Sequence, residues 1–77
     1  MTVKVYSTLV CPYCIKAKAF LKQNKIRFED IDISENKKAA MEMFEKSGQT
    51  GVPVLDINGK IIIGFDKEAI KKELNIK

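Results

Sequence analysis

Cys11 and Cys14 stand at i and i+3 in the stretch Cys11-Pro12-Tyr13-Cys14, and the chain holds no other cysteine. Two thiols at that spacing across a helix start can close a small disulfide ring. A sulfur at such a start also lies beside unpaired backbone N–H groups and the positive end of the helix dipole, which favour negative charge and a nucleophilic thiolate. The chemistry proposed is thiol–disulfide exchange. Cys11, at the helix mouth, attacks and later leaves readily; Cys14, one turn in on the core face, resolves the mixed disulfide. The helix terminus supplies the electrostatics, so the absence of histidine is no objection. A complete zinc site needs about four ligands. Two cysteines would reach that number only with carboxylates, a second chain or an external thiol. A shared iron–sulfur or zinc site and a pair of structural thiols stay open beside exchange, and no metal is expected.

The elements that must position these thiols follow from periodicity and turn chemistry. Thr2 to Ser7 alternates around Val3 and Val5 and reads as a first strand. From Pro12 the period becomes helical, with Cys14, Ala17 and Leu21 on one face, Phe20 beside them, and Lys16, Lys18, Lys22 and Lys25 largely off it. Pro12 suits the first helical position and makes Cys11 the N-cap. The helix ends at Asn24-Lys25, and Phe28 to Ile33 reads as a second strand, completing a right-handed βαβ unit. Ser34-Glu35 is predicted to start a second helix, with Ala40, Met43, Phe44 and Ser47 on its buried face and Gly48 as its stop. Val54–Ile57 and Lys60–Ile63 flank Asn58-Gly59, a strong hairpin signal. Asp66 is predicted to cap a last helix that fades near Leu74, with Phe65 stapled onto Ile70. The expected fold is α/β with the order β-α-β-α-β-β-α.

Three further segments can bear on the chemistry. Tyr13, between the thiols, is either a partly exposed aromatic at the helix start or one wall of a ligand groove. Thr50-Gly51-Val52-Pro53 precedes a strand and should return beside Cys11. If the Val52–Pro53 bond is cis, the Val52 backbone would be able to pair with an extended thiol peptide. Gly64-Phe65-Asp66 is either a simple cap or a nest of amides that accepts a carboxylate.

Composition narrows the function class. Seventy-seven residues, 45% hydrophobic and 31% charged, suit one soluble globular domain over residues 1–77. The first residues lack the basic and apolar regions of a signal peptide, and no apolar run is of membrane-spanning length, so a cytoplasmic protein without membrane association is expected. In that reducing compartment two cysteines are not expected to be a structural staple. The net charge of +4 comes from 14 Lys+Arg against 10 Asp+Glu, and only Arg27 among the cations is an arginine. The lysines are spread through every helix, with glutamates among them in the second and third, as on a solvated surface, and no nucleic-acid partner is expected.

A strand, then Cys-Pro-Tyr-Cys at a helix start, then Val52-Pro53, then Gly64-Phe65-Asp66 before the last helix: this order resembles the glutaredoxins over nearly the whole chain. Among them it looks closest to small bacterial glutaredoxin-like proteins. Thioredoxins usually carry Trp-Cys-Gly-Pro-Cys and begin with an additional strand and helix; this chain has no Trp and no room for them. The resemblance implies a minimal thioredoxin fold, a four-stranded mixed sheet flanked by three helices, with Pro53 cis. It implies glutathione-dependent reduction of protein disulfides and glutathione mixed disulfides by a monomer, with glutathione as co-substrate. Residue by residue, it makes Cys11 the nucleophile, Cys14 the resolving thiol, Tyr13 the aromatic wall and Val52, beside Pro53, the backbone clamp. Gly64, Phe65 and Asp66 then hold the γ-glutamyl end. The implied partners are disulfide-containing or glutathionylated proteins, with thioredoxin reductase or ribonucleotide reductase as further candidates.

Three places depart from the family pattern, one of them Ile63-Gly64-Phe65-Asp66-Lys67, where a Gly-Gly pair with two acidic residues is frequent. Thr8 stands where many members have lysine, and Gln49 where a basic residue is frequent. Losing two cations that would meet glutathione carboxylates should weaken binding by about 0.5–3 kcal/mol in total. Gly64-Phe65 also resembles the glutaredoxin-like electron donors that draw on thioredoxin reductase. An iron–sulfur dimer held through one Cys11 per chain plus glutathione is the remaining alternative.

Overall fold

A computed structural model describes residues 2–76; Met1 and Lys77, the ends of the expected 1–77 domain, lie outside the described residues. The elements are β1 (Val3–Ser7), α1 (Pro12–Gln23), β2 (Glu29–Asp32), α2 (Lys37–Ser47), β3 (Val54–Ile57), β4 (Lys60–Ile63) and α3 (Lys67–Leu74). They form one mixed sheet in the order β2-β1-β3-β4. The β1–β2 pair is parallel, with Tyr6 opposite Ile31, and α1 is its crossover. β3 runs antiparallel to both β1 and β4, with Leu55 opposite Val5 and Ile62. The expected order and the four-stranded mixed sheet are both present.

Strand alternation assigns the two faces. Val3, Val5, Leu55, Ile57 and Ile62 point one way and bury against Ala17, Phe20 and Leu21 of α1 and Ile70 and Leu74 of α3. Tyr6 and Val54 point the other way and bury against Met43 of α2. The hairpin turns through Asn58 and Gly59, both with positive φ (54° and 92°), as a type I′ turn requires.

Helix starts follow side-chain capping, and one of them corrects the sequence reading. α2 begins at Lys37 instead of at Ser34-Glu35. Asp32 captures Ser34 in a local turn, accepting its amide at 2.9 Å and its hydroxyl at 2.6 Å. Asn36 is then the residue whose side chain accepts from the Ala39 amide at 3.0 Å. The face of α2 turned to the sheet is the one from which Ala39 and Met43 pack and Glu42 and Lys46 reach the Tyr6 hydroxyl, which leaves Phe44, expected on the buried face with Ala40, 52% exposed. β2 is shorter at both ends than the expected Phe28 to Ile33; Phe28 packs on the larger core and Ile33 on the smaller one from outside the strand. Asp66 caps α3 as expected, accepting from Ala69 N–H at 3.2 Å. Phe65 joins the cluster containing Ile70, and its ring packs edge-on against Phe20 with centroids 6.0 Å apart.

Candidate functional site

The two thiols sit where β1 hands over to α1. Cys11 is the N-cap of α1 with extended backbone (φ −112°, ψ 108°), Pro12 follows as the first helical residue, and the Cys11 carbonyl accepts from Ile15 N–H at 3.1 Å. In the cap position the Cys11 sulfur replaces the usual cap oxygen and accepts the Cys14 amide N–H at 3.2 Å. That N–H is a donor aimed at the atom on which a thiolate's charge resides. Both cysteines are free thiols, Cys11 half-buried and Cys14 fully buried.

Their environments differ in kind. Burial, together with the hydrogen bond to Cys11, pushes the Cys14 thiol up to about 11; the Thr8 backbone and the Lys18 ammonium oppose this and do not outweigh it. Cys11, by contrast, is preceded by two strongly exposed large apolar side chains, Leu9 (75%) and Val10 (89%). Tyr13 is exposed as well, with the Lys16 ammonium 5.1 Å from its ring centroid.

The loop before β3 returns to this point. The Val52 carbonyl receives the Cys11 S–H across a long contact of 3.9 Å. The Val52–Pro53 bond is cis. Pro53 is buried, and its carbonyl accepts the Gly64 N–H at 2.8 Å, tying the segment after β4 to the same loop. Gly64 has φ +78°, a conformation that favours a residue without a Cβ. Cys11, Val52, Pro53 and Gly64 are thus joined through successive contacts, with Cys14 beneath. Phe65 and Asp66 are adjacent in sequence but are engaged within the fold, the one on Phe20 and the other on its own helix.

Thr8 and Gln49 have definite places too. The Thr8 backbone faces the Cys14 sulfur. Gln49 folds back on its own loop: its side-chain oxygen accepts Gly51 N–H at 2.7 Å and its nitrogen donates to Gly51 C=O at 3.0 Å.

A group of residues near Cys14 escaped the sequence reading. Ser7, 2% exposed, donates to one oxygen of Asp30 at 3.0 Å, and the Lys18 ammonium bonds the other at 3.1 Å and Ser7 Oγ at 3.4 Å. These residues come from β1, β2 and α1, and no local pattern joins them. The available signal was a lysine one turn after Cys14 on the same helix. Among the described residues no group of three or more His, Cys, Asp or Glu side chains is arranged to hold a metal ion. No helix among them is long and apolar enough to cross a membrane.

The glutaredoxin family model matches residues 3–62, which include both cysteines and the Val52-Pro53 loop. The chain belongs to the glutaredoxin family. A glutaredoxin-like 8.6 kDa protein encoded in the rubredoxin operon of Clostridium pasteurianum is 46% identical over 70 residues, covering 91% of this chain and 93% of that one. Glutaredoxin 3 of Escherichia coli K12 is 38% identical over 64 residues, covering 83% and 77% respectively. Among solved structures, a mutant of the thioredoxin-like protein BC3987 superposes with a TM-score of 0.93 at 29% identity, covering 99% of this chain and 97% of that one. This glutaredoxin therefore has the thioredoxin fold, and it is a glutaredoxin-type redox protein.

Proposed function

We propose that this glutaredoxin is a dithiol thiol–disulfide oxidoreductase in which Cys11 is the nucleophile and Cys14 the resolving thiol. The observation that carries the reading is the inequality of two thiols one helical turn apart. Cys11 is reachable and accepts an amide N–H on its sulfur. Cys14 is fully buried, with its thiol pushed up to about 11. In the cycle, the Cys11 sulfur attacks a substrate disulfide and the displaced sulfur leaves as a thiol after taking up a proton. The mixed disulfide on Cys11 is then broken by Cys14, or by a second thiol such as glutathione. The chain 1–77 acts as one domain in this reading, in a reducing cytoplasm where such a pair is cycled.

Glutathione is the proposed co-substrate. The Val52 backbone, next to Pro53, pairs with its cysteine, Tyr13 forms a wall, and Gly64, Phe65 and Asp66 meet the γ-glutamyl end. The test of roles is a pair of variants. Cys11→Ser is expected to abolish all exchange, and Cys14→Ser to lose protein-disulfide reduction while still reducing glutathionylated substrates. Equal residual activity in the two variants would sink the assignment.

A second electron source is favoured by a specific observation. Thr8 supplies no cation, and Gln49 is held on Gly51, so neither offers charge to a glutathione carboxylate. The alternative is a redoxin of the same chemistry reduced by thioredoxin reductase and serving an enzyme such as ribonucleotide reductase. Disulfide reduction measured with glutathione plus its reductase, and separately with thioredoxin reductase, decides between them. Turnover only in the second would remove glutathione from the cycle.

A further inference from the structure

Resolution by Cys14 poses a difficulty that the cysteine pair does not solve alone. The buried Cys14 thiol must lose its proton before its sulfur can attack the mixed disulfide on Cys11, and burial opposes that loss. Three groups face it: Cys11 on its own helix, the Thr8 backbone from the β1–α1 connection, and the Lys18 ammonium one turn further along α1. Of these, Lys18 is the one that brings a positive charge. When Cys11 is locked in a mixed disulfide its sulfur carries no charge, and the cation acts on Cys14 without that opposition.

Lys18 is not held as an ordinary surface lysine. Its side chain is 18% exposed, and its ammonium is fixed by Asp30 on β2 and by Ser7 on β1. Ser7 is buried and in turn bonds Asp30, so three elements converge on one cation. Asp32, the other β2 carboxylate facing Lys18, lies within the reach of its charge. A cation held under partial cover is screened less than one waving in solvent, and it forfeits little further entropy when a negative charge forms nearby.

We propose that Lys18, clamped by Ser7 and Asp30, is a positioning residue for the resolving step, its fixed charge favouring the Cys14 thiolate as that thiolate attacks Cys11. The proposal rests on the dithiol reading above. In the step, the Cys14 S–H proton passes to solvent and the Cys14 sulfur bonds to the Cys11 sulfur. The bond between Cys11 and the substrate sulfur breaks, and the departing thiolate keeps the electron pair and takes up a proton. Cys11 and Cys14 end as a disulfide, and the substrate sulfur is reduced.

The experiment mixes the reduced protein in a stopped-flow instrument with an aromatic disulfide whose thiolate is coloured. Attack by Cys11 releases one coloured equivalent, and displacement by Cys14 releases a second. Lys18→Met is expected to slow the second release about five- to tenfold near neutral pH, the effect of removing one nearby charge. Its pH profile for that release should move to higher pH, the first release should be unchanged, and Lys18→Arg should restore the second. Lys18→Gln, which keeps a donor for Ser7 and Asp30, gives the same readout with less disturbance of packing. A second release and pH profile identical to the parent in both charge-removing variants overturns the proposal. Equal slowing of both releases also overturns it, marking a loss of packing around α1. Two equivalents released by Cys14→Ser would overturn the dithiol reading itself, and the proposal with it.

Discussion

Beneath α1 and α3 the sheet buries ten apolar side chains, from Val3 to Leu74, in one continuous cluster. Beneath α2 the fully buried apolar cluster is Tyr6, Met43 and Val54, with Ile31, Ile33, Val52 and Ile61 partly buried against it, and a group of charges enters beside it. Lys46 reaches in from α2 to bond Asp56 at 2.7 Å and the Tyr6 hydroxyl at 3.0 Å, and it pairs with Glu42 at 3.3 Å. The Tyr6 hydroxyl donates to Glu42, and the second Asp56 oxygen accepts Gly59 N–H at 2.8 Å. One face is thus held mainly by area removed from water, the other largely by mutual satisfaction of polar groups. The difference bears on the thiols. α1, which carries both cysteines at its start, is seated on the apolar face through Ala17, Phe20 and Leu21. The helix that must present sulfur in fixed geometry rests on the side whose contacts do not depend on protonation state.

The largest test of this contrast is truncation in each core. Leu55→Ala, in the larger cluster, should cost about 2–5 kcal/mol, enough to leave a chain of this size marginally folded or unfolded. Met43→Ala should fall at the low end of that range, because water and the neighbouring charges can relax into the space. Equal denaturant midpoints for the two variants would erase the distinction between the faces. Next in size is Lys46→Met, which strands Asp56 at 9% exposure without its cation and should cost about 1–3 kcal/mol. Adding Asp56→Asn should recover part of the loss, which a double-mutant cycle by chemical denaturation measures.

A smaller effect is the acid limb of stability. Burial alone would raise the Asp56 carboxyl, but hydrogen bonds from Lys46 and the Gly59 amide outweigh it and hold it below its ordinary value. A carboxyl lowered in the folded state contributes stability that is present above its unfolded value, near pH 4, and is lost as pH falls through the lower folded value. Thermal midpoints should therefore decline in acid more steeply for the parent than for Lys46→Met; identical slopes would remove Asp56 from the account. The smallest effects are at the caps. Asp66→Ala and Asn36→Ala should each cost about 0.5–2 kcal/mol, measured as a shift in denaturant midpoint.

Much of this architecture was legible in the chain. Pro12 after Cys11, Asn58-Gly59 and Asp66 are local signals whose physics acts within a few residues, and each marks the element boundary it announced. The start of α2 was not legible, because Ser34 and Asn36 are both competent caps and the choice fell to Asp32 capturing Ser34. The polar clusters were hidden for another reason: Tyr6 and Lys46 lie 40 residues apart, Ser7 and Asp30 lie 23 apart, and no periodicity links such pairs. One sign was available, since Asp56 sits in the otherwise apolar strand Val54-Leu55-Asp56-Ile57, where a charge requires a partner. At the thiols, the helix-start geometry of Cys11 and the burial of Cys14 were readable, and the clamp on Lys18 was not.

The strand order leaves β2 and β4 as the two borders of the sheet, and their sequences differ sharply. β2 reads Glu29-Asp30-Ile31-Asp32, a row of carboxylates that repels a second strand seeking to add on. β4 reads Lys60-Ile61-Ile62-Ile63, short, β-branched and with Ile63 54% exposed. The hazard of misassembly is therefore concentrated on one border. It is limited by the four-residue length of β4, the lysine at its start and the positive-φ Gly64 at its end. Replacing Lys60 with an apolar residue would lengthen the sticky segment, and solubility at high concentration would report the change before any loss of redox activity did.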